Sequence, residues 1–445
     1  MPLDLDIMGL DELRILPIPK RVLLDMWDTL DPSKKNYVEK KIGHLLSLLH
    51  IEPQVTLIKA LAHFWNPETS TFVFDRHELT PTLEEIQIII GDVPSLSVVD
   101  PSLGVDPVPR LSQILGVPPP EIRTLLNRNS KGLPLAFLEQ RFHSFLSSPR
   151  AESTKVFLLA FFGFVIFPFT QKTMDPTVIH VIDGILVLKG FTNMILAEMF
   201  ISLNRFKKDK RVALRAPLGI LQVWFVSHLK QFGGNLAIPH VSKDINPLTQ
   251  FKEIEKFLRP WTFHNWVDFL ENLTPKQVLW QALWVHFPKV CLTSGHSDPI
   301  PLLGLTGSTS YYPLRAARQF YVLQEIPPPL KSGLFRFDFR NGVIKGDQLE
   351  ELKNEMKRII DLLYCYQPKD VERATDLEGS MKEHHASKEY IARRVEPELA
   401  VTIPKFPVIA TPKETQMGRI IRERDEALAE AEHWQKAYKR VRNML

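Results

Sequence analysis

The sequence predicts a mainly α-helical, multi-helical body with minor β-hairpins and a C-terminal coiled-coil-like helix. Three observations carry that expectation. Apolar residues recur at helical spacing through most of the chain, extended runs are short, and Ile420, Ala427, Trp434 and Val441 repeat every seven residues near the end. A chain of 445 residues, 44% hydrophobic and 24% charged, can hold one or two substantial cores with room for a peripheral extension.

Residues 1–50 read as an N-terminal helical arm. Asp31 and Pro32 open a helix, and Leu45, Leu46, Leu48 and Leu49 give the stretch after it a broad apolar side. Residues 51–330 form the body, and its opening, residues 57–91, is the most informative segment. Leu57, Leu61 and Phe64 lie at helical spacing, Pro67 disfavours helix at Asn66, and residues 71–74 favour an extended backbone. Thr80 reads as an N-cap and Pro81 as the first helical position. Leu83, Ile86 and Ile90 then form an apolar face, Glu84 and Glu85 sit at the positive end of the helix dipole, and Gly91 can leave the helix with positive φ.

Further along, Leu135, Leu138, Phe142 and Phe145 mark another helix. Residues 156–169 are the most lipid-like stretch, but 14 residues ending around Pro168 are too short to cross a bilayer. The next apolar run carries Asp183 and Lys189, so the two are expected as an inner helix pair and no membrane is expected as a partner. Residues 262–270 and 274–287 read as helices, the second opened by a Thr274–Gln277 capping box. Residues 331–366 form a hairpin and helix extension: Phe335, Phe337 and Phe339 alternate onto one face of a strand, and Asn341-Gly342 turns the chain. Residues 367–418, charged and proline-interrupted, read as a flexible linker. In residues 419–445, Ala431, Tyr438 and Leu445 occupy companion seam positions and Arg424 weakens the first, predicting pairing with a protein partner or with itself.

Composition excludes little beyond extremes. Fifty-five Lys plus Arg against fifty-one Asp plus Glu leaves a formal charge of +4, too small for a strong nucleic-acid field. Cys291 and Cys365 supply neither a disulfide framework nor a zinc finger, which fits a reducing compartment, and the acidic first residues are not a secretory signal. His286, Cys291 and His296 make the densest metal-like spacing but lack a fourth ligand, so no metal is expected. His296, Ser297 and Asp298 hold triad residue types, but as chain neighbours they do not have triad geometry. The glycine-containing loop 304–310 lacks the spacing and the lysine of a phosphate-binding loop. Arg205, Lys207, Lys208, Lys210, Arg211 and Arg215 form the sharpest basic run, and Lys207, Lys208, Lys210 and Arg211 are the candidates for phosphate contact. Arg315 and Arg318, three residues apart near Phe320, are expected to fix helices through carboxylate or carbonyl bonds.

Trp65, the Thr71-Phe72 pair, residues 80–85 and Gly91 together resemble the opening signature of the plant mobile domain, a family also labelled aminotransferase-like. RAARQFYVLQEIP at 315–327 is similar to its closing Arg-Gln-Phe and Gln-x-Ile-Pro motif, with Tyr321 where the family has glycine. The resemblance nominates Trp65, Phe72, Thr80, Pro81, Gly91, Arg315, Arg318, Gln319 and Phe320 as family-motif residues that preserve the fold. It implies a noncatalytic protein-interaction or assembly domain of transposable-element origin, located in the nucleus or alternatively the cytoplasm. The alternatives are weak sequence-nonspecific nucleic-acid binding and an enzyme of unidentified chemistry. No cofactor is expected. Pyridoxal phosphate chemistry needs a Schiff-base lysine with a phosphate cup, and Lys189 reads as a helix-end lysine instead.

Overall fold

The computed structural model describes residues 14–390, apart from 76, 92–98, 100, 103, 149–151, 234–245, 283, 286–288, 291–298, 321, 329, 331–334, 340–346, 365–368, 371–386 and 388–389. It is mainly α-helical with small, unclosed antiparallel sheets. Residues 419–445, the Asn341-Gly342 turn, the His286/Cys291/His296 spacing and Ser297-Asp298 lie outside the described residues.

The N-terminal segment forms α1 (Lys20–Thr29) and α2 (Pro32–Ile42), the second capped by Asp31, whose carboxylate accepts from Lys34 N. The leucine-rich stretch that follows is a 3-10 helix, Gly43–His50, rather than an α-helix. Its tighter period of three stacks Leu45 over Leu48 on the buried side. Gly43 breaks the α-helix with φ +56, and a Cβ there would stand 2.5 Å from Ile90 O and 2.8 Å from Gly91 O. Only glycine lets the arm's backbone approach the following helix end this closely.

α3 (Val55–Phe64) leads into a meander of β1 (Trp65–Asn66), β2 (Thr71–Phe74) and β3 (His77–Leu79), with Trp65 opposite Phe72 and Phe72 opposite Leu79. The helix α4 spans Leu83–Ile90. Its N-cap is Thr82, not Thr80, and Pro81 lies before the helix. The Thr82–Glu85 capping box satisfies two backbone donors reciprocally, whereas the Thr80 hydroxyl is drawn off to Ser70 O at 2.8 Å. Gly91 ends α4 in the left-handed region at φ +70, as its position predicts.

There follow α5 (Val108–Leu115), α6 (Pro119–Arg128), β4 (Leu133–Pro134), α7 (Leu135–Ser144) and α8 (Glu152–Phe161), the last continued by a π-turn at Phe162–Ile166. The lipid-like stretch is therefore a buried core helix, and among the described residues no single helix is long and apolar enough to cross a membrane. β5 (Thr173–Met174) pairs with β4, and α9 (Val178–Leu186) precedes the long α10 (Thr192–Lys208). α10 and α11 (Leu218–Ser227) are buried almost all round, the signature of interior helices. Side chains from Leu23 to Ile359 share one hydrophobic core around them.

α12 (Lys230–Gly233), α13 (Pro247–Leu258) and α14 (Phe263–Glu271) come next. Thr274 and Gln277 do bond as a capping box, but they start only the 3-10 turn Pro275–Gln277, not a helix to 287. β6 (Lys289–Val290) is followed by the hairpin β7 (Ile300–Leu303) and β8 (Gly307–Tyr311), so the glycine-containing loop is a buried β-turn rather than a phosphate cradle. After the 3-10 segment Pro313–Phe320, β9 (Phe337–Asp338) adds to β8. Among the described residues these two form the strand pairing and Phe339 N adds a bond to Thr306 O at 3.0 Å; Phe335 takes φ +57, yet Phe335, Phe337 and Phe339 all pack against the main core, the shared face that their alternation predicts. The helix α15 (Asp347–Tyr364) and β10 (Lys369–Asp370), paired with β6, complete the described elements.

Candidate functional site

Two of the residues nominated from the sequence, Thr80 and Gln319, meet at a buried polar cluster centred on Glu85. As the third residue of α4, Glu85 caps its own helix, accepting from Thr82 N at 3.2 Å and Thr82 Oγ1 at 3.0 Å. From α11, Trp224 Nε1 donates to Glu85 Oε2 at 2.9 Å. From the 3-10 segment, Gln319 Nε2 reaches the same oxygen at 3.1 Å. The Gln319 amide also copies a β-pairing with Thr80, accepting from its N at 3.0 Å and donating to its O at 2.8 Å. His228, just past α11, places Nε2 3.1 Å from Glu85 Oε1 and Nδ1 2.7 Å from Leu279 O. The first of these is close in distance but not aligned as a hydrogen bond.

Glu85, Trp224, His228 and Gln319 are fully buried. Burial alone pushes the Glu85 carboxyl up. The charge of His228, with donors from Trp224 and Thr82, outweighs it and holds the group below the usual carboxylate range. The cluster contains an acid, an imidazole and an amide, the residue types of general acid–base chemistry. Their zero exposure means that substrate could reach them only if the surrounding elements opened.

Two further contacts extend the cluster along the 3-10 segment. Arg315 Nη1 meets Glu78 Oε1 of β3 at 2.7 Å, with side chains 4% and 1% exposed, a buried ion pair of the kind expected for Arg315. Arg318 instead lies over two rings, 4.5 Å from the centroid of Trp280 and 5.2 Å from that of Tyr390. Burial pushes its guanidinium down, with Tyr390 partly offsetting this. Phe320 packs in a small separate cluster with Val290 and Ala316. Trp65 and Phe72 are core residues: their rings meet at 4.9 Å, Phe72 stacks on Trp224 at 5.8 Å, and Trp65 Nε1 donates to Asn204 Oδ1 at 2.8 Å.

The basic run is dispersed among internal partners. Arg205 pairs with Asp338 at 2.9 Å and donates to Thr306 O and Oγ1, clamping α10 to the β-hairpin that Glu198 also holds through Thr306 N at 2.6 Å. Lys207 Nζ donates to His63 O, Lys210 lies over the Phe206 ring, and Arg215 lies over Phe169. Arg211 pairs with Asp209, and Lys208 ends α10. Among the described residues no group of three or more His, Cys, Asp or Glu could hold a metal ion.

Residues 23–364 match the family described as "Domain of unknown function (DUF7745)". The chain belongs to this family. DUF7745 is unrelated to the plant mobile domain, so the resemblance carried by Trp65, residues 71–72, 80–85 and 315–327 does not indicate membership of that family. The transposable-element origin and the nuclear location implied by it lose that support. Neither curated proteins nor solved structures yield a match to this DUF7745 chain. Sequence reasoning placed Gln319 and Glu85 but missed His228, Glu78 and Trp280. A signal available for His228 was its spacing of four from Trp224, which puts the two rings on one side of α11 and the turn that follows it.

Proposed function

We propose that this DUF7745 chain is a noncatalytic protein-interaction domain. The supporting observation is the extended segment after Phe320. There Leu323 and Ile326 are 47% and 51% exposed on either side of buried Gln324, whose backbone carbonyl accepts from Ser387 N at 2.9 Å. A backbone carbonyl that accepts a hydrogen bond from a distant segment, beside exposed apolar side chains, has the character of a peptide receptor. The test is crosslinking in cells with wild type and the Leu323→Glu/Ile326→Glu form. The double substitution is expected to leave thermal unfolding unchanged and to remove the crosslinked proteins. An identical set of partners from both forms would refute the assignment.

Within the same reading, residues 419–445 self-associate or pair with another helix as a coiled coil, on the strength of the Ile420, Ala427, Trp434 and Val441 recurrence. Sedimentation of the full chain, Trp434→Ala and a form ending at Pro412 is expected to show concentration-dependent association only in the first. A second reading, weak phosphate contact, draws on Arg211, whose side chain is 81% exposed.

A further inference from the structure

Four donors crowd one oxygen of Glu85. Thr82 N, Thr82 Oγ1, Trp224 Nε1 and Gln319 Nε2 all lie within 3.2 Å of Oε2, so that oxygen has no room for a proton of its own. Thr82 Oγ1 is able to donate there because its lone pair already takes Glu85 N at 3.1 Å. The other oxygen, Oε1, faces His228 Nε2 at 3.1 Å. On the far side of the imidazole, Nδ1 is 2.7 Å from Leu279 O, a carbonyl that only accepts, so Nδ1 carries a hydrogen. One further proton therefore belongs to the contact between Oε1 and Nε2. Without it a ring lone pair and a carboxylate would face each other at 3.1 Å, with both side chains fully buried. Because the Glu85 carboxyl is held below its usual range, this proton sits on the ring.

We infer that Glu85 and His228 hold this one buried proton jointly and that it works as a clasp: while it is present the ring grips Glu85 and Leu279 at once, and its loss releases Leu279 and Trp280. A neutral ring has a single N–H. The buried carboxylate is the stronger acceptor, so the remaining hydrogen goes to Nε2 and leaves the Nδ1 lone pair against Leu279 O. Leu279 is also tied to the end of α11 by its N–H, which donates to His228 O at 2.7 Å beside the Leu229–Val278 bridge. Repulsion at the carbonyl therefore strains a pairing one residue before Trp280. That tryptophan lies against His77, and Arg318 sits 4.5 Å over its ring. Opening there uncovers a guanidinium that is 4% exposed with the clasp closed, so the proton controls access to a buried cation. Other charges nearby are engaged elsewhere or lie at the surface. Glu78 on β3 is paired with Arg315, Glu255 on α13 accepts from Glu52 N, and Lys230 and Lys276 are exposed. Among the described residues, Glu85 is the charged group that faces the His228 ring, and the two titrate as a pair.

The test follows the ring by NMR in full-length protein labelled at the histidine ring nitrogens. The His228 signals are assigned by their contact with the Trp224 ring, 5.2 Å away, and by their loss in His228→Gln. At about pH 6 both ring nitrogens are expected to carry hydrogen, and at about pH 9 only Nε2. Over the same range the hydrogen-exchange protection of the Leu279 amide, corrected for the ordinary base dependence of exchange, should fall by about tenfold or more. Protection of Leu221 and Val223 within α11 should hold to within about twofold, which separates a local opening from general alkaline unfolding. In His228→Gln the Leu279 protection is expected to stay level with pH. If that form does not fold, the wild-type ring signals and exchange decide the question alone. Any other protonation pattern at either pH overturns the proposal. So does a fall at Leu279 of less than about tenfold, an equal fall at Leu221 and Val223, or the same fall in folded His228→Gln.

Discussion

Glu85 and Trp224 lie 139 positions apart in the chain, and the indole N–H of one donates to the carboxylate of the other at 2.9 Å. This bond ties the start of α4 to an interior helix at a point where water is excluded. A hydrogen bond to a charged group contributes about 1.5–3 kcal/mol, and more is at stake where the acceptor cannot return to solvent. Trp224→Phe keeps most of the ring and removes the donor, so urea unfolding is expected to show a loss in that range. A loss below about 0.5 kcal/mol would mean that the remaining donors compensate.

Glu85 also sets an expectation for acid stability. Its carboxyl is held below the ordinary value in the folded state, so the stability it contributes is full above the unfolded value of about 4.3 and is lost as pH falls through the lower folded value. Glu85→Gln removes that titration. Stability curves of wild type and Glu85→Gln should therefore differ most at neutral pH and converge below about pH 4. Parallel curves down to pH 3 would contradict the assignment.

The two glycines where the arm meets α4 should not tolerate substitution equally. Both have positive φ, which costs a non-glycine residue about 1–2 kcal/mol. At Gly91 an added Cβ meets the His44 side chain, which can rotate, whereas at Gly43 it meets two backbone oxygens, which cannot. Gly43→Ala is thus expected to lower the unfolding midpoint more than Gly91→Ala, as differential scanning calorimetry would show.

The buried Arg315–Glu78 pair is expected to behave asymmetrically. Removing one partner strands a buried charge, and Arg315→Met should cost about 3–5 kcal/mol. The double form Glu78→Gln/Arg315→Met should recover most of the loss. A double form as unstable as the single one would show that the pair holds β3 to the 3-10 segment by more than charge compensation.

Helix period, caps and glycines exposed much of this architecture in the sequence. The buried helices around residues 156–166 and 218–227 are apolar enough to be recognised by composition, and Gly91 by its place after a helical face. The expected opening of α4 at Thr80-Pro81 falls two residues short of the actual N-cap, because Thr82 and Glu85 form the capping box instead. The tertiary bond from Thr80 to Ser70 decides between them, and no local pattern contains it. The polar cluster was legible only in pieces. Gln319, Glu85, Trp224 and His228 come from three separate segments, and no spacing within any one of them encodes their meeting. The basic run reads as a surface patch in sequence because the carbonyls and rings that engage it, at His63, Phe206 and Phe169, are residues of ordinary type.

Through these bonds Glu85 is expected to act as a structural lock joining residues 80–85, 224–228 and 313–320 into one cooperative unit. Native-state hydrogen exchange of wild type and Glu85→Gln at neutral pH tests this most directly. Protection is expected to fall together, by a similar factor, in all three segments. Loss confined to the first turn of α4, with residues 224–228 and 313–320 as protected as in wild type, would contradict it.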